Sequence, residues 1–190
     1  MTKETLEQRG FLPRDKTISM LKANLYALLT LPVAAVGYVI YVLRWGWGIT
    51  LPFWGMLLLL AGIVIGIVVH EFFHGFTWQF FCDERWKGVR FGFAKEALSP
   101  YCHCMEVLTL NQYRLGIIMP CLMTAVLPYV IAYMVGCQWL MILGLIMFAS
   151  AGGDLTILFL LIGERNPTLV VDHPTLCGCI LYDKKEIEKD

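Results

Sequence analysis

From residue 51 to residue 69 the chain carries no charged side chain. A helix through that run is about as long as a bilayer's hydrocarbon core is thick, roughly 20 residues rising about 1.5 Å each. This restricts the fold strongly. Backbone in hydrocarbon must satisfy its own polar groups, and only helices and closed barrels do so. Three further stretches qualify: residues 23–43, 115–135 and 137–162, the last carrying the single charge of Asp154. The second run continues to residue 81. Pro32, Pro120 and Pro128 fall inside these spans, where neighbouring helices can satisfy the freed backbone groups. The chain is 58% apolar with mean hydropathy +0.65, against about 45–50% apolar in soluble domains. The expected fold class is therefore an α-helical polytopic membrane protein with four transmembrane helices. At 190 residues it forms a single membrane domain.

Orientation follows from Lys and Arg. Lys3, Arg9, Arg14, Lys16 and Lys22 precede the first span, and Arg44 alone lies in the first connection. Arg85, Lys87, Arg90, Lys95 and Arg114 fall in the second connection, none in the third, and Arg165, Lys184, Lys185 and Lys189 follow the fourth span. The split is fourteen to one, which puts both termini and the loop of residues 82–114 in the cytoplasm, with a cytoplasmic tail over 163–190. Trp45, Trp47, Trp54 and Trp139 then form the outer interfacial belt. The first 22 residues mix both charge signs with no short apolar segment and cleavage site after them, so they do not read as a signal peptide. A net charge of zero gives no reason to expect a nucleic-acid partner; the expected surroundings are the lipid bilayer.

Within the loop, residues 89–94 and 98–105 are rich in aromatic and β-compatible side chains around a polar "KEALSP", and read as a hairpin. Residues 168–171 and 179–182 of the tail also read as strands. Together they predict a small cytoplasmic β-hairpin or sheet, one edge of which could accept an extended peptide. Of the seven cysteines, five lie on the cytoplasmic side, where thiols stay reduced. "YCHC" and "CGC" each put two sulfurs on one side of a strand. Cys102, Cys104, Cys177 and Cys179 read foremost as free structural thiols, with a metal site of those four as the alternative.

Immediately after the uncharged run comes "HEFFH". On a helix, positions i and i+4 share a face, so His70 and His74 can reach one ion and Glu71 can reach water bound to it. Neutral imidazoles bind zinc at about 2.0–2.1 Å, an open position holds water, and a carboxylate takes its proton. Ionisable residues in a span are costly and usually functional. Such a site wants a third protein ligand. Asp154, in "SAGGDLTILF", is the leading candidate: it lies about 25 Å in from the outer end of the fourth span, and His70 lies about 28 Å in from the start of the second. Gly152 and Gly153 remove bulk beside it. His103, His173, Asp172 and Glu106 are rivals that read as ordinary surface or sheet residues.

A four-helix chain with H-E-x-x-H at the cytoplasmic end of its second span, a β-rich loop and a Gly-Gly-Asp helix resembles the small zincin peptidases of bacteria. That family was first catalogued as a domain of unknown function and is similar to site-2-protease-type intramembrane metalloproteases. The resemblance runs from the second span to the "VDHP" segment. It implies zinc on His70, His74 and Asp154, Glu71 as catalytic base, and a multi-pass protein of the bacterial cell membrane. Here the aspartate stands in "GGDL" rather than in the Leu-Asp-Gly setting usual for site-2 proteases.

The expected function is zinc-dependent hydrolysis of peptide bonds within the membrane or at its cytoplasmic edge, acting on a membrane protein or peptide substrate. Asn111, Gln112 and His103 are candidate oxyanion donors. The alternative is a catalytically inactive metal-binding membrane protein that binds or regulates membrane clients. A metal-transport protein ranks last, since four short spans with one polar cluster make a poor conduit. Glu71 separates the readings, because neither a holder nor a carrier needs a carboxylate there.

Overall fold

The computed structural model describes residues 3–47, 52–94, 99–165 and 168–184. In chain order the elements are α1 (Lys3–Gln8), β1 (Phe11–Ile18), α2 (Met20–Ala27), α3 (Thr30–Trp45) and α4 (Phe53–Trp78). A 3₁₀ turn (Arg85–Gly88) leads into β2 (Val89–Ala94), β3 (Ser99–Cys104) and β4 (Leu108–Thr109). Then follow α5 (Leu110–Pro120), a π-helical turn (Cys121–Val126), α6 (Leu127–Val135), α7 (Gln138–Ser150), α8 (Gly152–Leu160), β5 (Leu169–Asp172) and β6 (Cys177–Lys184). Three helical runs, Leu21–Trp45, Phe53–Trp78 and Leu110–Val135, are long and apolar enough to cross a membrane. The pair α7 and α8 passes the same test together, with a bend of 44° between them.

The helical runs lie within a few residues of the four expected stretches, and two of them depart further. The third helical run begins at Leu110 rather than near residue 115 because Thr109 caps it: the Thr109 hydroxyl accepts from the Gln112 N–H, and the Gln112 side chain accepts from the Thr109 N–H. The fourth stretch, expected to be one helix over 137–162, is broken at Ala151 (φ −74°, ψ 4°), which ends α7 and caps α8. Adjacent glycines, each costing about 1 kcal/mol against Ala in a helix, favour the break there. Gly152 also has a packing reason, since a Cβ on it would strike the Ala27 Cβ. Helix α2 is thereby pressed directly against the start of α8.

The hairpin β2–β3 forms in the expected place, with Val89 opposite Cys104 and Ala94 opposite Ser99; residues 95–98 lie outside the described ones. It runs back along α4. Its Cys104 sulfur lies 3.7 Å from that of Cys82, just past the helix end, and burial pushes both thiols up, so they stay protonated. Further along, Phe91 and Val89 pack on Gly75. The tail strands form too, as β5 and β6, in a four-stranded antiparallel sheet of order β1-β6-β5-β4.

Strand β1 has no counterpart in the sequence reading, which took the N-terminal segment as a charged tail. It pairs along its whole length with β6, Phe11 opposite Lys184 and Ile18 opposite Cys177. Pro13 removes a donor and suits only an edge strand, which is where β1 lies. Charges then lock it. Arg14 donates to Asp183 at 2.7 Å and to Glu164 at 2.7 and 3.1 Å, and Lys16 lies 2.9 Å from Glu164. These hydrogen bonds, the Arg14 one foremost, hold the Glu164 carboxyl down at about 2. Arg114 donates to the carbonyls of Leu161 and Glu164, satisfying the end of α8. A buried cluster that includes Trp78, Tyr113, Leu161 and Leu181 fills the space where α4, α5 and α8 meet the sheet.

Candidate metal centre

Helix α4 puts His70 and His74 on one buried face, while Phe72 and Phe76 point outward from it. The imidazoles lie edge to face with ring centroids 5.1 Å apart. Asp154, in the first turn of α8, reaches both: its Oδ2 is 2.8 Å from His70 Nε2 and its Oδ1 is 3.4 Å from His74 Nε2. A helix N-terminus suits a carboxylate because the backbone N–H groups there are unpaired and the helix dipole is positive. Ligand atoms of His70, Glu71 and His74 also lie within 4.8 Å of one another, the one such group among the described residues. Glu71 faces the Cys102 backbone of β3.

The other ring nitrogens are held by protein. His74 Nδ1–H donates to the Gly116 carbonyl at 2.9 Å. That carbonyl is available for a local reason: its normal helical partner four residues on is Pro120, which has no N–H. Gly116 must also be glycine, since a Cβ there would strike the Trp78 indole nitrogen. Trp78 stacks on His74 at 5.3 Å, and Tyr113 stacks on Trp78 at 5.6 Å, fixing the ring plane. The Thr124 hydroxyl donates to the Pro120 carbonyl at 2.8 Å and accepts from His70 Nδ1–H at 3.5 Å. Thr124 belongs to the π-helical turn, a distortion frequent at functional sites.

Both imidazoles thus turn Nε2 towards one carboxylate. The donor set fits zinc. Bonds of about 2.0–2.1 Å in a tetrahedral shell separate neighbouring donors by about 3.3 Å, and the observed 2.8 and 3.4 Å bracket that value. Partners on the far ring nitrogen typically contribute 10–100-fold in metal affinity. Thr124→Val, which keeps the shape and removes the acceptor, should therefore weaken metal binding by about 10–100-fold in a chelator competition titration. An affinity equal to wild type would remove Thr124 from the site.

The rivals for third ligand are engaged elsewhere. His103 Nδ1 lies 2.9 Å from Asp172, which also accepts from the Cys104 N–H and the Tyr113 hydroxyl. His173 accepts from the N–H groups of Thr175 and Leu176 in a turn. Glu106 accepts from the N–H groups of Asp83 and Glu84. Of the oxyanion candidates, Gln112 is spent on its cap and Asn111 is not buried. All seven cysteines are free thiols, and the "YCHC" and "CGC" sulfurs join no group of three donors among the described residues. Sequence reading missed Gly116 and Thr124. The signals were present: a proline within a span frees the carbonyl four residues before it, and a threonine in a span needs a partner.

The model of the family described as "putative zincin peptidase" matches residues 63–168. The chain belongs to that family. The matched segment contains His70, Glu71, His74, Thr124 and Asp154, so the family region and the donor cluster coincide. Zincins are zinc enzymes, and together with the His-Glu-His cluster the match indicates a metallopeptidase, hence a hydrolase. No curated protein and no solved structure matches the chain.

Proposed function

We propose that this zincin-family protein is an intramembrane or membrane-edge zinc peptidase of the site-2-protease kind, with His70, His74 and Asp154 holding zinc and Glu71 as the base. The observation that carries the reading is the convergence of the Asp154 carboxylate on both Nε2 atoms from a helix remote in sequence. Bound zinc would supply a Lewis acid for the scissile carbonyl and a water of pKa about 7. Glu71 would then act as the base, taking a proton from the attacking water and delivering it to the leaving amine nitrogen. Gly116 and Thr124 hold the imidazoles in the tautomer that leaves Nε2 free. A helical substrate must unwind to expose a peptide bond, and the β3 edge beside Glu71 offers a strand to pair with. The substrate class is a membrane protein or peptide.

Membrane insertion with four spans and both ends in the cytoplasm is part of the same reading. The pairing of β1 with β6 supports it: strands before the first span and after the last must lie on one side, which requires an even number of crossings. With three continuous helices, the bent pair α7–α8 then makes the fourth crossing. The fourteen-to-one Lys and Arg asymmetry selects the cytoplasmic side. Residues 1–190 act as one membrane domain, in a bacterial cell membrane.

Two measurements test the reading. Elemental analysis of purified protein should find about one zinc per chain, lost in the His70→Ala, His74→Ala double variant; no stoichiometric metal in the wild type sinks it. Reporter fusions at the two ends should both report cytoplasm. Ends on opposite faces would overturn the four-span topology.

A further inference from the structure

After α4 the chain does not simply leave the helix. The Glu106 carboxylate accepts from the N–H groups of Asp83 and Glu84, and Arg85 takes a left-handed conformation (φ 55°) that non-glycine residues rarely adopt. Gly88 fits beneath this turn, where a Cβ would strike Glu106 and Cys82. The turn sends Trp86 back against the outer face of α4. Its ring stacks on Phe72 at 5.9 Å and lies 6.4 Å from both Phe76 and Phe91. Phe72 and Phe76 on α4 and Phe80 just past its end follow one another at ring distances of 5.6 and 5.1 Å. A buried aromatic cluster would need no further account, but this one is open: Trp86 is 45% exposed and Phe80 55%.

We propose that Trp86 and this phenylalanine ladder are seated in the interfacial zone of the cytoplasmic leaflet, and that they set the depth of the metal site in the bilayer. The partner is lipid, at the boundary between acyl chains and headgroups. The proposal rests on the membrane reading above. Three observations support this occupant. The ladder continues without a break the exposed apolar face of α4 that carries Leu60, Val64 and Val68. Counted from Phe53 at about 1.5 Å per residue, Phe72 lies about 28 Å and Phe76 about 34 Å along the helix, which brackets the end of a hydrocarbon core about 30 Å thick. Tryptophan prefers that boundary, where its ring is apolar and its N–H is wet. Lys87 and Arg90 flank the cluster and make no ion pair among the described residues, leaving them free for headgroup phosphates. His70 and His74 belong to the same turns of α4 as Phe72 and Phe76, so anchoring these rings holds the metal donors at the membrane–water boundary. Cleavage is then confined to bonds that reach that plane.

The test uses the full chain in phosphatidylcholine vesicles whose acyl chains are brominated at a shallow or a deep position. Subtracting the emission of Trp86→Phe from that of wild type isolates Trp86, and Trp54→Phe isolates Trp54 at the other end of α4. Trp86 emission should fall at least twofold with shallow bromine, less with deep bromine, and resist aqueous iodide. If Trp54 is quenched by lipid while Trp86 is quenched by iodide, the membrane reading stands and this proposal falls. If Trp86 is shielded from both quenchers, protein rather than lipid covers it and the proposal also falls. If neither tryptophan meets lipid, the membrane reading fails with it.

Discussion

Glu71→Gln should keep its zinc and its fold and lose nearly all turnover. The amide has the volume of the acid but cannot take a proton from water. Acid–base catalysis of this kind is worth about 10²–10⁴-fold, and in the proposed reading the residue would serve both the attack and the departure of the amine. The side chain lies among the metal donors, yet the two imidazoles already have Asp154 as a third partner. Metal content should therefore stay near wild type in elemental analysis while cleavage of a verified membrane substrate falls by at least 10²-fold. Uncleaved client should accumulate on the variant in pull-downs. A variant that holds zinc and cleaves at the wild-type rate would show that Glu71 is not the base.

Asp154→Ala should fail differently, losing metal first and activity with it. Removing the carboxylate leaves two imidazoles facing an empty corner of the site, and the loss in zinc affinity should exceed the 10–100-fold expected for a partner on a far ring nitrogen. Side by side, the Asp154 and Thr124 variants should give a graded series: Asp154→Ala loses the ion, and Thr124→Val only loosens it. If Asp154→Ala binds zinc as tightly as wild type, the carboxylate only orients the imidazoles and another group completes the shell.

The reach of the sequence can be judged element by element. H-E-x-x-H was legible because helical spacing alone puts His70 and His74 on one face, and the pairing with Asp154 was approached through depth, since each rise per residue is fixed. The hairpin and the tail strands were legible from local alternation. Strand β1 was not. Its pattern "FLPRDKTI" is charged and broken by a proline, and what makes it a strand is β6, a partner from the opposite end of the described chain. The break before Asp154 was half legible: Gly152 and Gly153 signalled small residues, but the bend depends on Ala27 approaching from α2. The role of Pro120 required knowing that His74 stood across from Gly116. Local chemistry reads from the sequence; pairings between distant segments need the fold.

The seam between β1 and β6 also sets an order of events during synthesis. His70 and His74 emerge long before Asp154, and β1 waits for β6 through the making of every apolar helix. Until then β1, β5 and the end of α8 present unpaired strand edges and unsatisfied carbonyls, the features by which a half-made chain aggregates or is degraded. Closing the sheet draws Arg14 and Lys16 onto Glu164, a few residues past the helix that carries Asp154. The donors proposed for the metal come together only once α8 has been made, and the sheet that closes beside α8 needs β6 as well.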